Sequence, residues 1–368
     1  MRGVIIFSFI KNPRLNLTAL ILIFLLLLFF IHQYNLSHQV FGLYFGNTIV
    51  INSGNVSSSF TKGQISSVEG EYAYAVWVDK NNTIYFSATH ENGTTFSSPI
   101  ALSANNTLAI SPQIDATEKG GVYVVWVDKN NDTGDSNIVF RGSNDNGKSF
   151  DRSVRLNRNV APNQTATASY PQIDATEKGG VYVVWVDKKE NGDTNIAFIT
   201  SNNSGNDFTN RKYIRSNDLL SFSPKLDATE KGGVYVVWVD KNNDTGDSNI
   251  VFRGSNDNGK SFDRSVRLNR NPNQTSLSFS PQIAANEMGS VFVTWPENTL
   301  QFKELLEGGT ISGRTISLNN HVVLPLSAQI VATEKGNIYL AWAEKNNGLN
   351  NDTVLMFKRI SQYYFDRR

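Results

Sequence analysis

Apolar residues along this chain gather into short blocks, and one kind of block recurs six times. The copies read YAYAVW, GVYVVW, GVYVVW, GVYVVW, SVFVTW and NIYLAW, ending on Trp77, Trp126, Trp185, Trp238, Trp295 and Trp342, the only six tryptophans of the sequence. Inside a block the apolar residues do not alternate with polar ones, which predicts a β-strand buried on both faces. The pattern around Trp126 completes a unit. QIDAT reads as a short first strand, EKGG as a turn, VYVVWVD as the second strand and DKNNDTGDSN as a polar loop. NIVFRGS comes next as a third strand, DNGK as a turn and SFDRSVRLN as an outer fourth strand.

Successive tryptophans lie 49, 59, 53, 57 and 47 residues apart, the length of one four-stranded propeller blade. The expected fold is all-β: a six-bladed β-propeller of four-stranded antiparallel blades over residues 38–368, preceded by an N-terminal apolar helix within residues 1–37. Blade six has no fourth strand of its own, and Phe45–Asn52 aligns with Phe150–Asn157. Residues 45–52 are therefore expected to complete the last blade, Thr48–Asn52 pairing near Val354–Ile360 and removing an open sheet edge.

Leu17–Ile31 is a charge-free apolar run preceded by Arg2, Lys11 and Arg14. At about 1.5 Å per residue it reaches roughly 22 Å, short of a hydrocarbon core of ~30 Å, so a signal anchor and a cleaved signal peptide both fit. The next basic residue is Lys62, and both alternatives export the remainder of the chain. The expected location is the cell membrane, single-pass through residues 17–31 with the propeller outside, or the medium if the signal is removed. Eleven Asn-x-Ser/Thr sequons lie beyond the run, from Asn35 to Asn351; they arise by chance in an Asn- and Thr-rich chain or mark a glycoprotein surface.

Composition narrows the chemistry. The sequence has no cysteine, which excludes disulfides, thiolate metal sites and thiol nucleophiles. With 34 Lys+Arg against 33 Asp+Glu it lacks the basic footprint of a nucleic-acid binder.

Ser143, Asp145, Gly147, Ser149 and Phe150 sit in SNDNGKSF, and Ser255, Asp257, Gly259, Ser261 and Phe262 repeat that stretch letter for letter. It resembles the Asp box, S-x-D-x-G-x-[ST]-[WF], of sialidase-type (BNR repeat) propellers. THENGTTF at Thr89–Phe96 and SNNSGNDF at Ser201–Phe208 are degenerate copies. The box reads as a structural turn between the third and fourth strands, with Phe150 plugging under the blade. The resemblance implies an exo-α-sialidase site: three arginines, a Tyr with a Glu partner, and an Asp acid/base converging near the axis. No first strand carries an arginine, however, and the family's Arg-Ile-Pro motif is missing. Asp115–Asn159 and Asp227–Asn271 are moreover identical, whereas an asymmetric catalytic constellation needs blades that differ. No catalytic residue is assigned from the sequence.

Two carboxylate features remain. Asp115, Asp174 and Asp227 recur on first strands and could point together into the central channel, more simply as solvated or turn-bonding consensus residues. Asp128, Asn130, Asp132 and Asp135, copied as Asp240, Asn242, Asp244 and Asp247, place oxygen ligands at alternating positions of the loop after the second strand. That suits calcium, although the glycine falls one place late for an EF-hand loop and no Glu closes it. Tyr123, Tyr182 and Tyr235 read as interblade core. The expected function is a non-catalytic surface module binding cell-surface glycan or protein ligands. An exo-α-sialidase or other glycoside hydrolase is the alternative, and a structural surface-coat component the second alternative.

Overall fold

The computed structural model describes residues 63–68, 72–90, 95–104, 108–130, 133–158, 167–189, 192–214, 220–242, 246–269, 280–297, 299–318, 325–333, 336–345 and 353–361. All of them belong to one compact unit, Ile49–Arg368. The apolar run 17–31 and the strand expected at 45–52 lie outside the described residues.

Among the described residues, six antiparallel meanders succeed one another along the chain. The first comprises β1 (Gln64–Ser67), β2 (Ala73–Val78), β3 (Ile84–His90), β4 (Thr95–Phe96) and β5 (Ile100–Ala101). The second is β6 (Leu108–Ala116), β7 (Val122–Lys129), β8 (Ser136–Ser143) and β9 (Val154–Arg155); the third is β10 (Thr167–Ala175), β11 (Val181–Lys188), β12 (Thr194–Ser201) and β13 (Lys212–Tyr213). The fourth is β14 (Leu220–Ala228), β15 (Val234–Lys241), β16 (Ser248–Ser255) and β17 (Val266–Arg267). The fifth is β18 (Gln282–Ala285), β19 (Val291–Pro296), β20 (Leu300–Leu306) and β21 (Ile311–Ser317). The sixth has three strands, β22 (Pro325–Ala332), β23 (Asn337–Lys345) and β24 (Thr353–Ser361).

Each tryptophan lies within its strand and is buried, as the unbroken apolar blocks require. The packing lies between meanders: Trp126 and Val124 join Phe86 and Val76 of the preceding unit, and Trp185 and Val183 join Tyr123 and Phe140. The same pattern carries through Trp238, Trp295 and Trp342. Tyr123, Tyr182 and Tyr235 are buried in these layers.

Three strand boundaries differ from the sequence reading. The first strands of the second, third and fourth units are longer than QIDAT: β6 begins at Leu108 and absorbs a bulge between Ile110 and Gln113. Outer strands are shorter, because only Val154 and Arg155 pair with β8, while Asp151 and Leu156 add single flanking bonds to Gly142 and Ile138. The second hairpin runs one residue past VYVVWVD to Lys129, with Asp128 paired to Asn137 and Asp240 to Asn249, so the first position of the candidate calcium set lies within the strand.

The repeated phrase DATEKGG joins meander to meander. The backbone N–H groups of Ala175, Ala228 and Ala285 each donate to the aspartate of the preceding unit, Asp115 (2.8 Å), Asp174 and Asp227. In the opposite sense, the N–H groups of Glu118, Glu177 and Glu230 donate to Glu177, Glu230 and Glu287 of the following unit. Lys119, Lys178 and Lys231 reach the same three glutamates' carbonyls. A buried N–H without an acceptor costs roughly 1–3 kcal/mol, so each copy has to carry the same acceptor for its neighbour.

Candidate functional site

The Asp box is built as the sequence suggests, but it serves the joint between units. Ser143 Oγ donates to Asp145 Oδ1 (2.7 Å), and Ser149 donates to the same carboxylate through N–H (2.9 Å) and Oγ (2.6 Å). These bonds hold the Asp145 pKa down to about 2, and the copied bonds do the same for Asp257. Phe150 packs edge-on against Phe86 of the preceding unit, with centroids 4.9 Å apart, within a cluster that also holds Trp126 and Val139 of its own unit. Phe208 on Phe140 and Phe262 on Phe198 repeat the contact. Arg141 donates to the carbonyls of Asp151, Phe150 and, across the joint, Leu102, and Arg253 is placed likewise. Both guanidinium groups are thereby committed to the outer edge.

The first strands bring the other aspartates together. Asp115, Asp174 and Asp227 lie close enough to act on one another's charge, and Ser66 Oγ reaches Asp115 Oδ1 at 3.4 Å. Burial raises all three carboxyls above the usual range, and like charge adds to it: Asp174 acts on Asp115, Asp227 on Asp174, and Asp115 more weakly on Asp227, which is pushed up to about 6. Each keeps some surface open yet is densely surrounded by protein, and that crowding sets the direction. Each of the three carboxylates accepts a backbone N–H from the following unit, so the ladder takes part in joining the units.

Two residues farther along, Gln113, Gln172 and Lys225 form the next layer, Lys225 Nζ donating to Gln172 Oε1 at 2.8 Å across the joint. Beyond them lies the bulge, where Ser111, Tyr170 and Ser223 take φ of 54°, 53° and 51°, each directly before a proline. Non-glycine residues held there cost of order 1–3 kcal/mol, and such strain clusters at functional sites. Tyr170 is 56% exposed. An exposed aromatic ring on a strained first strand, where two sister copies carry serine, is a candidate contact for a ligand. The sequence holds its signal in ASYPQIDA beside ISPQIDA and FSPKLDA. The letters that the repeats share mask the one that differs.

The loop residues considered for calcium are only partly brought together. Asp132 and Asp244 lie outside the described residues. Asn130 Oδ1 accepts the Thr133 N–H, and Asp135 Oδ2 accepts the Thr133 hydroxyl (3.0 Å), both bonds of an ordinary polar turn. Asp240 Oδ1 accepts Trp238 Nε1 (2.8 Å) and the Ser221 hydroxyl, so it serves the sheet. Asp128 Oδ1 and its cross-strand neighbour Asn137 Oδ1 are buried without a hydrogen-bond partner, and those two oxygens could face a cation. Among the described residues, no three His, Cys, Asp or Glu side chains form a metal-binding group. In the third unit Asp187 accepts Trp185 Nε1 (2.6 Å), Arg211 Nη1 (2.9 Å) and the Tyr213 hydroxyl (3.1 Å). Burial raises its pKa, and Arg211 opposes the rise.

Stacked four-stranded meanders joined through their tryptophan strands, with Asp boxes at the outer turns, decide the architecture. The fold is a sialidase-type β-propeller. No protein-family model and no curated relative matches the chain, and the likeness is one of structure. The propeller is similar to the intramolecular trans-sialidase of Ruminococcus gnavus at 8% identity, with a TM-score of 0.52 over 82% of this chain and 94% of that one. It is also similar to the GH93 α-L-arabinofuranosidase of Fusarium graminearum at 11% identity (TM-score 0.55, 83% and 96% covered). The α-L-arabinanase of Penicillium chrysogenum is comparable at 14% identity (TM-score 0.54, 83% and 96% covered).

Proposed function

We propose that this propeller is a glycan-directed protein of the glycoside-hydrolase type, engaging its saccharide beside Tyr170. The observation that carries the location is the exposure of Tyr170 on a strained first strand, above the Lys225–Gln172 bridge. Support for the class is the likeness to a trans-sialidase, an arabinofuranosidase and an arabinanase, an analogy of fold. A second reading, a non-catalytic glycan-binding or adhesion module, is favoured by the aspartates of the first strands, each of which is engaged by backbone N–H of the following unit.

Full-length protein assayed on a fluorogenic α-sialoside, an α-L-arabinofuranoside and arabinan is expected to turn over one of them, and Tyr170→Ser to lower kcat/KM at least tenfold. Ser111 and Ser223 show that serine tolerates the same backbone, so the variant should fold. Glycan-array binding lost in Tyr170→Ser, without turnover of any substrate, would establish the second reading. Neither turnover nor binding would reject both.

The same reading places the propeller outside the cell, held by residues 17–31 or released, and closes six blades into a ring through residues 45–52. Support for closure comes from the sixth unit, whose three strands leave Leu355 and Phe357 77% and 68% exposed, as Ile65 of the first unit is at 69%. Apolar faces of this kind need a cover. Deleting residues 45–52 is expected to lower the melting temperature by several degrees, and an unchanged melt would remove the closure.

A further inference from the structure

A groove of about 390 Å³ runs along the outer rim between the second and third units. Its floor includes Leu156, Ile199 and Phe208, the first two buried, and its walls carry Arg155, Arg158 and Arg211. Three guanidinium groups from two units thus border one cavity. Arg211 is neutralised by Asp187, the one ion pair among the described residues. Arg155 gives only its Nε, at 3.3 Å, to the side-chain oxygen of Asn157, and Arg158 stands exposed. Asp207 also lines the groove and takes a bond from Asn203 Nδ2, so one carboxylate faces two unpaired arginines.

We propose that this groove is a second binding site, taking an oxyanion carried on a saccharide: a carboxylate or sulfate group of an acidic glycan chain. Planar guanidinium forks match the geometry of such oxyanions and bind them bidentately, with charge-assisted bonds about twice as strong as neutral ones. The apolar floor gives a sugar ring something to lie on while its charge meets the wall. Arg211 is fixed by Asp187 and stacks on the Tyr213 ring, its guanidinium carbon 5.1 Å from the centroid, so its place is set before any ligand arrives. The anion chemistry rests on the arginines alone; that the carrier is a saccharide rests on the glycan-directed reading above.

The test uses the full chain, with isothermal titration of an oligogalacturonate, a heparin-derived oligosaccharide, a neutral arabino-oligosaccharide and poly-glutamate, at low and physiological salt. Wild-type protein is expected to bind one of the two acidic oligosaccharides, more weakly as salt rises. Arg155→Gln/Arg158→Gln should weaken that binding about tenfold or more, with an unchanged thermal melt and unchanged arabino-oligosaccharide binding. Arg158→Gln alone, at an exposed position, should give part of the loss, and Tyr170→Ser none. The carboxylated and sulfated arms identify the oxyanion. If neither acidic oligosaccharide binds, or if the double variant binds as well as wild type, the proposal is overturned. If poly-glutamate binds through the same arginines and the oligosaccharides do not, the groove takes acidic protein and the saccharide assignment falls, whatever the outcome at Tyr170.

Discussion

Gly147→Ala is expected to destabilise the propeller by about 2–4 kcal/mol. Two costs add. Gly147 has φ +77°, where a side chain costs roughly 1 kcal/mol. A methyl group there would also meet the Phe86 ring tip of the preceding unit at 2.4 Å, and overpacking of that kind costs typically 1–3 kcal/mol. Gly134 separates the two terms: its φ is +76° with nothing within 4 Å, so Gly134→Ala should cost only about 1 kcal/mol. Urea unfolding of both variants checks the difference. Equal losses would mean that the Asp box does not brace the joint. Because Gly147 and Phe86 touch, Phe86→Leu combined with Gly147→Ala should be less damaging than the sum of the single changes.

The second large effect is a pH dependence written into the aspartate ladder. Asp115, Asp174 and Asp227 have carboxyls raised in the folded chain, Asp227 to about 6. Between the ordinary value near 4 and these raised values the native chain holds more protons than the unfolded one, so stability falls as pH rises through that window. Wild-type protein is expected to lose roughly 1–3 kcal/mol between pH 4.5 and pH 7.5. Asp174→Asn should be more stable than wild type at pH 7.5 and have a flatter profile. An asparagine oxygen can still accept the Ala228 N–H, and its amide can donate to a neighbouring carboxylate; Ala175 N–H keeps Asp115 as acceptor at 2.8 Å. Asp145 and Asp257 act in the opposite sense: held down to about 2, they favour the folded state above the ordinary value and lose that contribution as pH falls towards 2. The optimum is expected near pH 4–5. Denaturant midpoints at pH 4.5 and 7.5 for wild type and Asp174→Asn decide the matter, and identical slopes would show that the ladder holds no extra proton.

Much of the scaffold was legible because it arises from local chemistry repeated at a fixed interval. A short apolar block rich in β-branched and aromatic residues, repeated at blade spacing, reads as a strand covered on both faces, and S-x-D-x-G closes a turn with bonds made within five residues. Strand ends were less legible. β6 begins at Leu108, well before QIDAT, because its pairing with β7 carries on through the bulge between Ile110 and Gln113, which local polarity does not record.

What the sequence determined by itself was the repeated sheet, its turns and its lack of thiol chemistry. Tertiary structure decided what the repeats are for. Asp115, Phe150 and Glu177 each complete a neighbouring unit rather than their own, across separations of 59 to 64 residues that no local pattern records. It also decided where the copies stop being equivalent. Tyr170 on its first strand and the three arginines along one groove are ordinary letters in the chain, and they become candidate sites only because packing leaves one ring in the open and gathers three charges.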